Sequence, residues 1–168
     1  VYIIDCSGSM GEYDALEFAK AELMASLQGL NPAQKFHVIF YNEQLKELDI
    51  NKRPGEPVSA TDVNRNLTKR FIGTVRPRMG TRHVPALTRA LAIKPDVIFF
   101  LTDAQEPKLE AAELDEIKKM NRGGARIHCI EFGIRNDLGL DNFLKKLARQ
   151  NGGTHGYRDV TKLKQQEL

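Results

Sequence analysis

The sequence predicts an α/β fold in three layers: a doubly wound, mostly parallel sheet with helices on both faces and one short antiparallel strand at an edge. Three observations carry this. Apolar runs too short for helices recur along the chain, VYII at 1–4, FHVIFY at 36–41, VIFFL at 97–101 and IHCIEF at 127–132. Segments with apolar residues at helical spacing separate them, and strands alternating with helices give a parallel sheet covered on both sides. Two of the runs stop at an acid, Asp5 and, after Thr102, Asp103. In open α/β sheets that position, the carboxyl end of a strand, is where ligands are held.

The 168 residues suit one domain, 1–168, with a continuous core. A chain 41% hydrophobic and 28% charged is not disordered. The net charge of +3 is small, and no basic stripe with interleaved aromatics appears, which argues against nucleic acid as a partner. No apolar run nears the roughly 20 residues a bilayer crossing needs, so no membrane contact is expected of this domain. The sequence starts inside a strand and without Met, as expected of a domain from a longer protein. Cys6 and Cys129 read as buried reduced thiols, which suit the cytoplasm better than a secreted framework, though targeting segments lie outside the sequence.

Taken in order, VYIID is the first strand. Leu16, Ala19, Leu23, Leu27 and Leu30 then mark a helix over 13–30, ended by Asn31-Pro32. FHVIFY is the second strand, and 44–48 turns back beside it as the edge strand. Ser59 or Thr61 caps a helix through Val63, Leu67 and Phe71, after which 73–82 reads as a loop. A helix over 84–93 buries Val84, Leu87 and Leu91, and Lys94-Pro95-Asp96 breaks it. VIFFL is apolar throughout, as a central parallel strand is. Pro107 opens the next helix, with Leu114, Ile117 and Met120 inward, and Gly123-Gly124 closes it. IHCIEF follows as a strand. Leu140, Phe143, Leu144 and Leu147 form a helical stripe, Thr154–Tyr157 is a weak last strand, and Val160–Leu168 begins a final helix.

Asp5, Ser7 and Ser9 place one carboxylate and two hydroxyls on a tight loop that Gly8 and Gly11 let bend. An oxygen-only set suits a hard cation such as Mg2+ or Mn2+, although the same residues also fit a helix cap and a turn. If VYIID and VIFFL are neighbours at the switch point, Asp5 and Asp103 face each other across the crevice. Two carboxylates there repel unless a cation, a shared proton or a basic partner lies between them. The loop Arg76–Arg82 ends at the same crevice and brings Thr81.

D-x-S-G-S at 5–9, Gly-Thr at 80–81 and L-T-D at 101–103 together resemble the von Willebrand factor type A (VWA) domain with its metal-ion-dependent adhesion site. The resemblance spans the chain and is strongest to prokaryotic-looking members. It implies that Ser7, Ser9 and Thr81 contact a metal through hydroxyls, directly or through water, and that Asp5 and Asp103 hold it directly or through bound water. Mg2+ is the implied ion, with Mn2+ or Ca2+ in its place as alternatives. Met79-Gly80-Thr81 replaces the usual Gly-Gly-Thr and Ala104 the Gly of T-D-G, and neither change removes a ligand. Such a site leaves a coordination position for an Asp or Glu of another protein, as the adhesive members imply: a protein-binding module and not an enzyme. Arg76, Arg78, Arg82 and His83 are expected to rim it as a positive collar for an acidic partner, the alternative being solvated loop charges. Val160–Leu168 resembles the terminal helix that shifts in some members, and fits a static flank equally well.

Other chemistries fit less well. A phosphatase of the haloacid dehalogenase type also binds Mg2+ at its first strand, but needs a second acid where this chain has Ser7. The phosphate-binding Gly-Lys-Ser/Thr and the dinucleotide Gly-x-Gly-x-x-Gly are both missing. His37, His83, His128 and His155 are scattered, and none makes a Ser-His-Asp set. A subunit of a larger ATPase or chelatase-like assembly is the other class of function the resemblance admits.

Overall fold

The computed structural model describes residues 1–166. In chain order the elements are β1 (Tyr2–Asp5), α1 (Ala15–Gln28), β2 (Lys35–Phe36), β3 (Val38–Tyr41), β4 (Leu45–Glu47), β5 (Val58–Ser59), α2 (Asp62–Gly73), α3 (His83–Ala92), β6 (Val97–Thr102), α4 (Ala111–Met120), β7 (Arg126–Gly133), α5 (Phe143–Gln150), β8 (His155–Asp159) and α6 (Val160–Gln166). Six strands form one sheet in the order β4-β3-β1-β6-β7-β8. Every pairing in it is parallel except β3 with the edge strand β4.

β1 and β6 are therefore neighbours, and the chain winds outward from them in opposite directions, which creates the switch point the apolar runs predicted. Burial on both faces explains why these strands are continuously apolar. Ile4 packs with Leu16, Leu23 and Phe40 in one layer, and Ile3 with Leu87, Phe100 and Ile117 in the other. Ile4 pairs with Leu101, so the chain positions that follow, Asp5 and Thr102, come side by side at the strand ends.

Several boundaries differ from those the sequence predicts, each for a local reason. FHVIFY divides at His37: Phe36 joins a separate two-stranded ribbon against Val58, while 38–41 enter the main sheet. The first helix starts at Ala15, because Tyr13 (φ 51°) and Asp14 (φ 61°) are left-handed and end a preceding 3-10 stretch, Gly8–Asp14. α4 starts at Ala111 and not at Pro107, where Glu110 and Glu113 make a reciprocal capping box. α5 starts at Phe143 because Asn142 caps it by accepting from the Lys145 amide, which leaves Leu140 outside and exposed. Thr61 caps α2 as expected. Both cysteines are buried free thiols. The expected final helix is observed through Gln166, and residues 167–168 lie outside the described residues. Among the described residues no helix is long and apolar enough to cross a membrane.

Candidate metal centre

β1 ends in Asp5, which is fully buried at the carboxyl ends of the strands. Its Oδ1 accepts the Ser7 amide at 2.8 Å and its Oδ2 accepts the Thr102 hydroxyl at 2.7 Å. Burial pushes this carboxyl up to about 6; bonds from Ser7 and Thr102 draw it back, and the charge of Asp103 raises it again. Ser7 is buried beside it, with its hydroxyl 3.1 Å from that of Ser9.

The second loop, 74–82, is sewn onto the first. The Gly8 amide donates to the Met79 carbonyl and the Arg78 amide to the Cys6 carbonyl, each at 2.9 Å. Asn42 adds two more ties, its Nδ2 donating to the Arg78 carbonyl and its own carbonyl accepting from the Arg82 amide, both at 3.0 Å. The buried ammonium of Lys20 reaches the Val75 carbonyl at 2.9 Å. Gly80 donates to Glu43 Oε1 at 3.1 Å, and a Cβ at this position would stand only 2.7 Å from that oxygen. Met79, one residue earlier, is left-handed at φ 65°, a conformation that costs a side-chain-bearing residue about 1 kcal/mol. The loop carries Thr81 into a cleft of about 500 Å³ that Ser7, Ser9, Met79, Gly80, Gln105, Glu106 and Lys108 also line.

The third loop follows β6. Asp103 Oδ1 accepts the Gln105 amide at 3.1 Å, whereas its Oδ2 is buried without a hydrogen-bond partner. Buried carboxylate oxygens are nearly always satisfied, so this one marks a position for a donor or a cation. Ala104 behind it is left-handed at φ 56°. All three loops thus hold side-chain-bearing residues in a conformation that favours glycine, a pattern that concentrates at functional sites. Asp5, Ser7, Ser9, Thr81 and Asp103, on the three loops at this end of the sheet, offer only oxygen donors. Among the described residues no group of three or more His, Cys, Asp or Glu side chains converges to hold a metal ion.

No protein-family model matches the sequence, and no curated protein matches it. Among solved structures, 98% of the chain superposes on von Willebrand factor type A from Catenulispora acidiphila, with a TM-score of 0.74 at 24% identity. The chain has the VWA fold. The conserved hypothetical protein BatB from Bacteroides thetaiotaomicron is similar over 99% of this chain and 95% of its own, with a TM-score of 0.66 at 15% identity. The ArnB paralog VWA2 from Sulfolobus acidocaldarius is similar over 97% of this chain, with a TM-score of 0.62 at 17% identity. This chain spans 39% of the Catenulispora structure and 42% of the Sulfolobus one. At these identities the likeness establishes the fold alone.

Within this VWA fold the expected positive collar does not form as predicted. His83 is buried, its Nδ1 2.8 Å from the Tyr41 hydroxyl and its ring against Phe100 and Phe143. Burial pushes it down to about 4, so it is a neutral core residue and brings no charge to a rim. Arg76 folds back to donate to the Gly73 carbonyl at 2.7 Å and the Val75 carbonyl at 2.9 Å, and lines a groove between α1 and α2 instead. Arg78 and Arg82 are exposed on the second loop but do not line the cleft. Lys108 does, and sequence reasoning missed it, along with Gln105, Glu106 and the structural roles of Thr102 and Asn42. Thr102 had a signal, since pairing β1 beside β6 puts it against Asp5. For Lys108 there was none.

Proposed function

We propose that the chain is a protein-binding module that holds a divalent cation, Mg2+ in the first place with Mn2+ or Ca2+ as alternatives, and completes its coordination with an Asp or Glu of a partner protein. One observation supports this: Asp103 carries a buried, unpartnered Oδ2 and its charge acts on the buried carboxyl of Asp5, itself raised to about 6 chiefly by burial. A cation relieves both the orphaned oxygen and the mutual repulsion of the two acids, and an oxygen-only donor set suits a hard ion. Asp5 and Asp103 would supply the charge, and Ser7, Ser9 and Thr81 the neutral oxygens. When bound, the ion supplies a Lewis-acidic position for an outside carboxylate. The rest is the chain's own work: the Ser7 amide and Thr102 hydroxyl orient Asp5, and the ties at Gly8, Arg78 and Asn42 fix where Thr81 arrives. Isothermal titration with Mg2+ tests the reading. Saturable binding by the wild type that disappears in Asp103→Ala is expected, and equal heats from both proteins would overturn it.

A further inference from the structure

At the amino ends of β6 and β7, the last turns of α3 and α4 and the two turns that lead on into the strands enclose a cleft of about 700 Å³. Small-molecule sites run from roughly 300 to 1,000 Å³. Leu91 and Ala125, both buried, give it apolar walls together with Ala92 and Met120. Thr88 Oγ1 reaches Met120 Sδ at 3.8 Å, so the two helices meet at the thioether. A methionine side chain is unbranched and polarisable, and moulds readily to an apolar guest.

Three cations, Lys94, Lys119 and Arg122, and one acid, Glu116, also line the cleft, all four exposed. Among the described residues none of the three cations enters an ion pair or a side-chain hydrogen bond. α3 and α4 both end here, and a helix C-terminus carries about half a negative charge. The two ends and Glu116 thus bring about two negative charges against three positive ones, which leaves one to be matched by an anionic group. Lys94 adds a second observation. Its amide donates to the Leu91 carbonyl at 3.0 Å and closes α3, with φ at 56° in a position where helices favour glycine. After α4 the left-handed residue is a glycine, Gly124 (φ 69°). A side chain kept in that conformation is unfavourable for the fold, and such residues concentrate where function needs them.

We propose that this cleft binds a small amphipathic anion, a molecule with an apolar body and a single carboxylate or similar head. The body displaces water from Leu91, Ala92 and Met120, and the head meets the cations at the rim. An inorganic anion would leave the apolar walls wet, and a neutral apolar molecule would leave the positive excess unmatched. The site lies at the opposite ends of the strands from the candidate metal centre and does not rest on it.

Titration of decanoate into the isotope-labelled chain, followed by amide NMR in EDTA and below micelle formation, tests the proposal. Saturable shifts confined to 91–95 and 120–125 are expected with decanoate, and none there with decyltrimethylammonium at the same concentration. Ala92→Trp, which fills the cleft from an exposed position, is expected to abolish them. The pair Lys119→Gln with Arg122→Gln is expected to weaken binding on the order of fivefold. Thermal melts verify that both variants are folded. Equal shifts with decyltrimethylammonium, or an affinity unchanged in the charge pair, would overturn the anionic head. Shifts that never saturate, fall outside those residues or persist in Ala92→Trp would overturn the cleft. Co-sedimentation with phosphatidylglycerol vesicles and not with phosphatidylcholine ones, in the absence of saturable decanoate binding, would assign the cations to a membrane surface and overturn the small-molecule site.

Discussion

Where β6 and β7 begin, the ends of α3 and α4 enclose a cleft of about 700 Å³ lined by Leu91, Met120 and the stems of Lys94, Lys119 and Arg122. Where the same strands end lies the smaller cleft of about 500 Å³, with Ser7, Ser9 and Thr81 in its walls. The larger space is apolar, and no buried unpartnered carboxylate adjoins it among the described residues. Left-handed residues occur at both, Lys94 (φ 56°) in the wall of the larger and Met79 (φ 65°) in that of the smaller, whereas the unpartnered oxygen of Asp103 belongs to the loop that runs on to Gln105, Glu106 and Lys108 in the smaller. Size alone would choose the larger space, whereas the proposed function rests on the smaller. The unsatisfied polar atom, and not the strained backbone, is what separates the two ends, because a ligand bound there would supply what the fold withholds.

Four measurements sharpen or break that contrast. The largest effect belongs to the helical layer that also walls the larger cleft. Ile117→Ala, at a fully buried position on α4, is expected to cost about 2–5 kcal/mol in urea unfolding while the folded variant keeps its Mg2+ affinity. A loss of Mg2+ binding there would join the two ends and break the comparison. Next comes Asp5 in chelated protein. Its folded pKa of about 6 lies above the ordinary 3.8, so the stability it contributes is fully present below pH 3.8 and lost as pH rises toward 6. That loss is about 3 kcal/mol. Asp5→Asn is expected to remove this slope, and so is saturating Mg2+; a wild-type profile that matches the variant's in EDTA would refute the burial argument.

Smaller is Asp103→Ala. Deleting a carboxylate whose Oδ2 has no partner is expected to leave the chelated protein as stable or more stable by about 1 kcal/mol, and to abolish the rise in Tm on adding Mg2+. Destabilisation in EDTA would mean that this oxygen is satisfied after all. Smallest is Met79→Gly, where release from φ 65° and the greater freedom of glycine in the unfolded chain nearly offset. The net is expected to be a gain of about 0.5 kcal/mol in denaturant unfolding. A loss of more than about 1 kcal/mol would show that Met79 packs to hold the fold rather than standing exposed in the cleft wall.

Much of this was legible in the residues. Continuous apolar runs ending in acids identified β1 and β6 as central neighbours, because only strands buried on both faces read that way. Asp5, Ser7 and Ser9 stood out as candidates because one carboxylate and two hydroxyls share a tight loop, but a helix cap and a turn fit the same residues, and the loop by itself did not choose between them. The inward turn of His83 was also present, unread, in a stripe of His83, Ala86, Leu87 and Ala90 at helical spacing, all buried in the structure. Its closeness to three arginines made it look like part of a charged loop. Arg76 was beyond reach for a different reason: it is drawn to carbonyls left open where α2 ends, a partner set by the helix terminus and not by the cleft. The β2–β5 ribbon, two residues a side, is too short to show periodicity, and Lys108 lies in the loop between β6 and α4, where no periodic pattern singles it out.

The backbone ties that join Gly8 to Met79 and Cys6 to Arg78, with the side-chain bond from the Lys20 ammonium to the Val75 carbonyl, make one jaw of the first two loops, anchored along α1. No backbone-to-backbone hydrogen bond among the described residues links residues 103–108 to that jaw. The cleft is accordingly braced on one side by bonds between two loops, while its other wall takes its shape from its own turns, the Gln105 amide on Asp103 Oδ1 and the Lys108 amide on Glu106 Oε2.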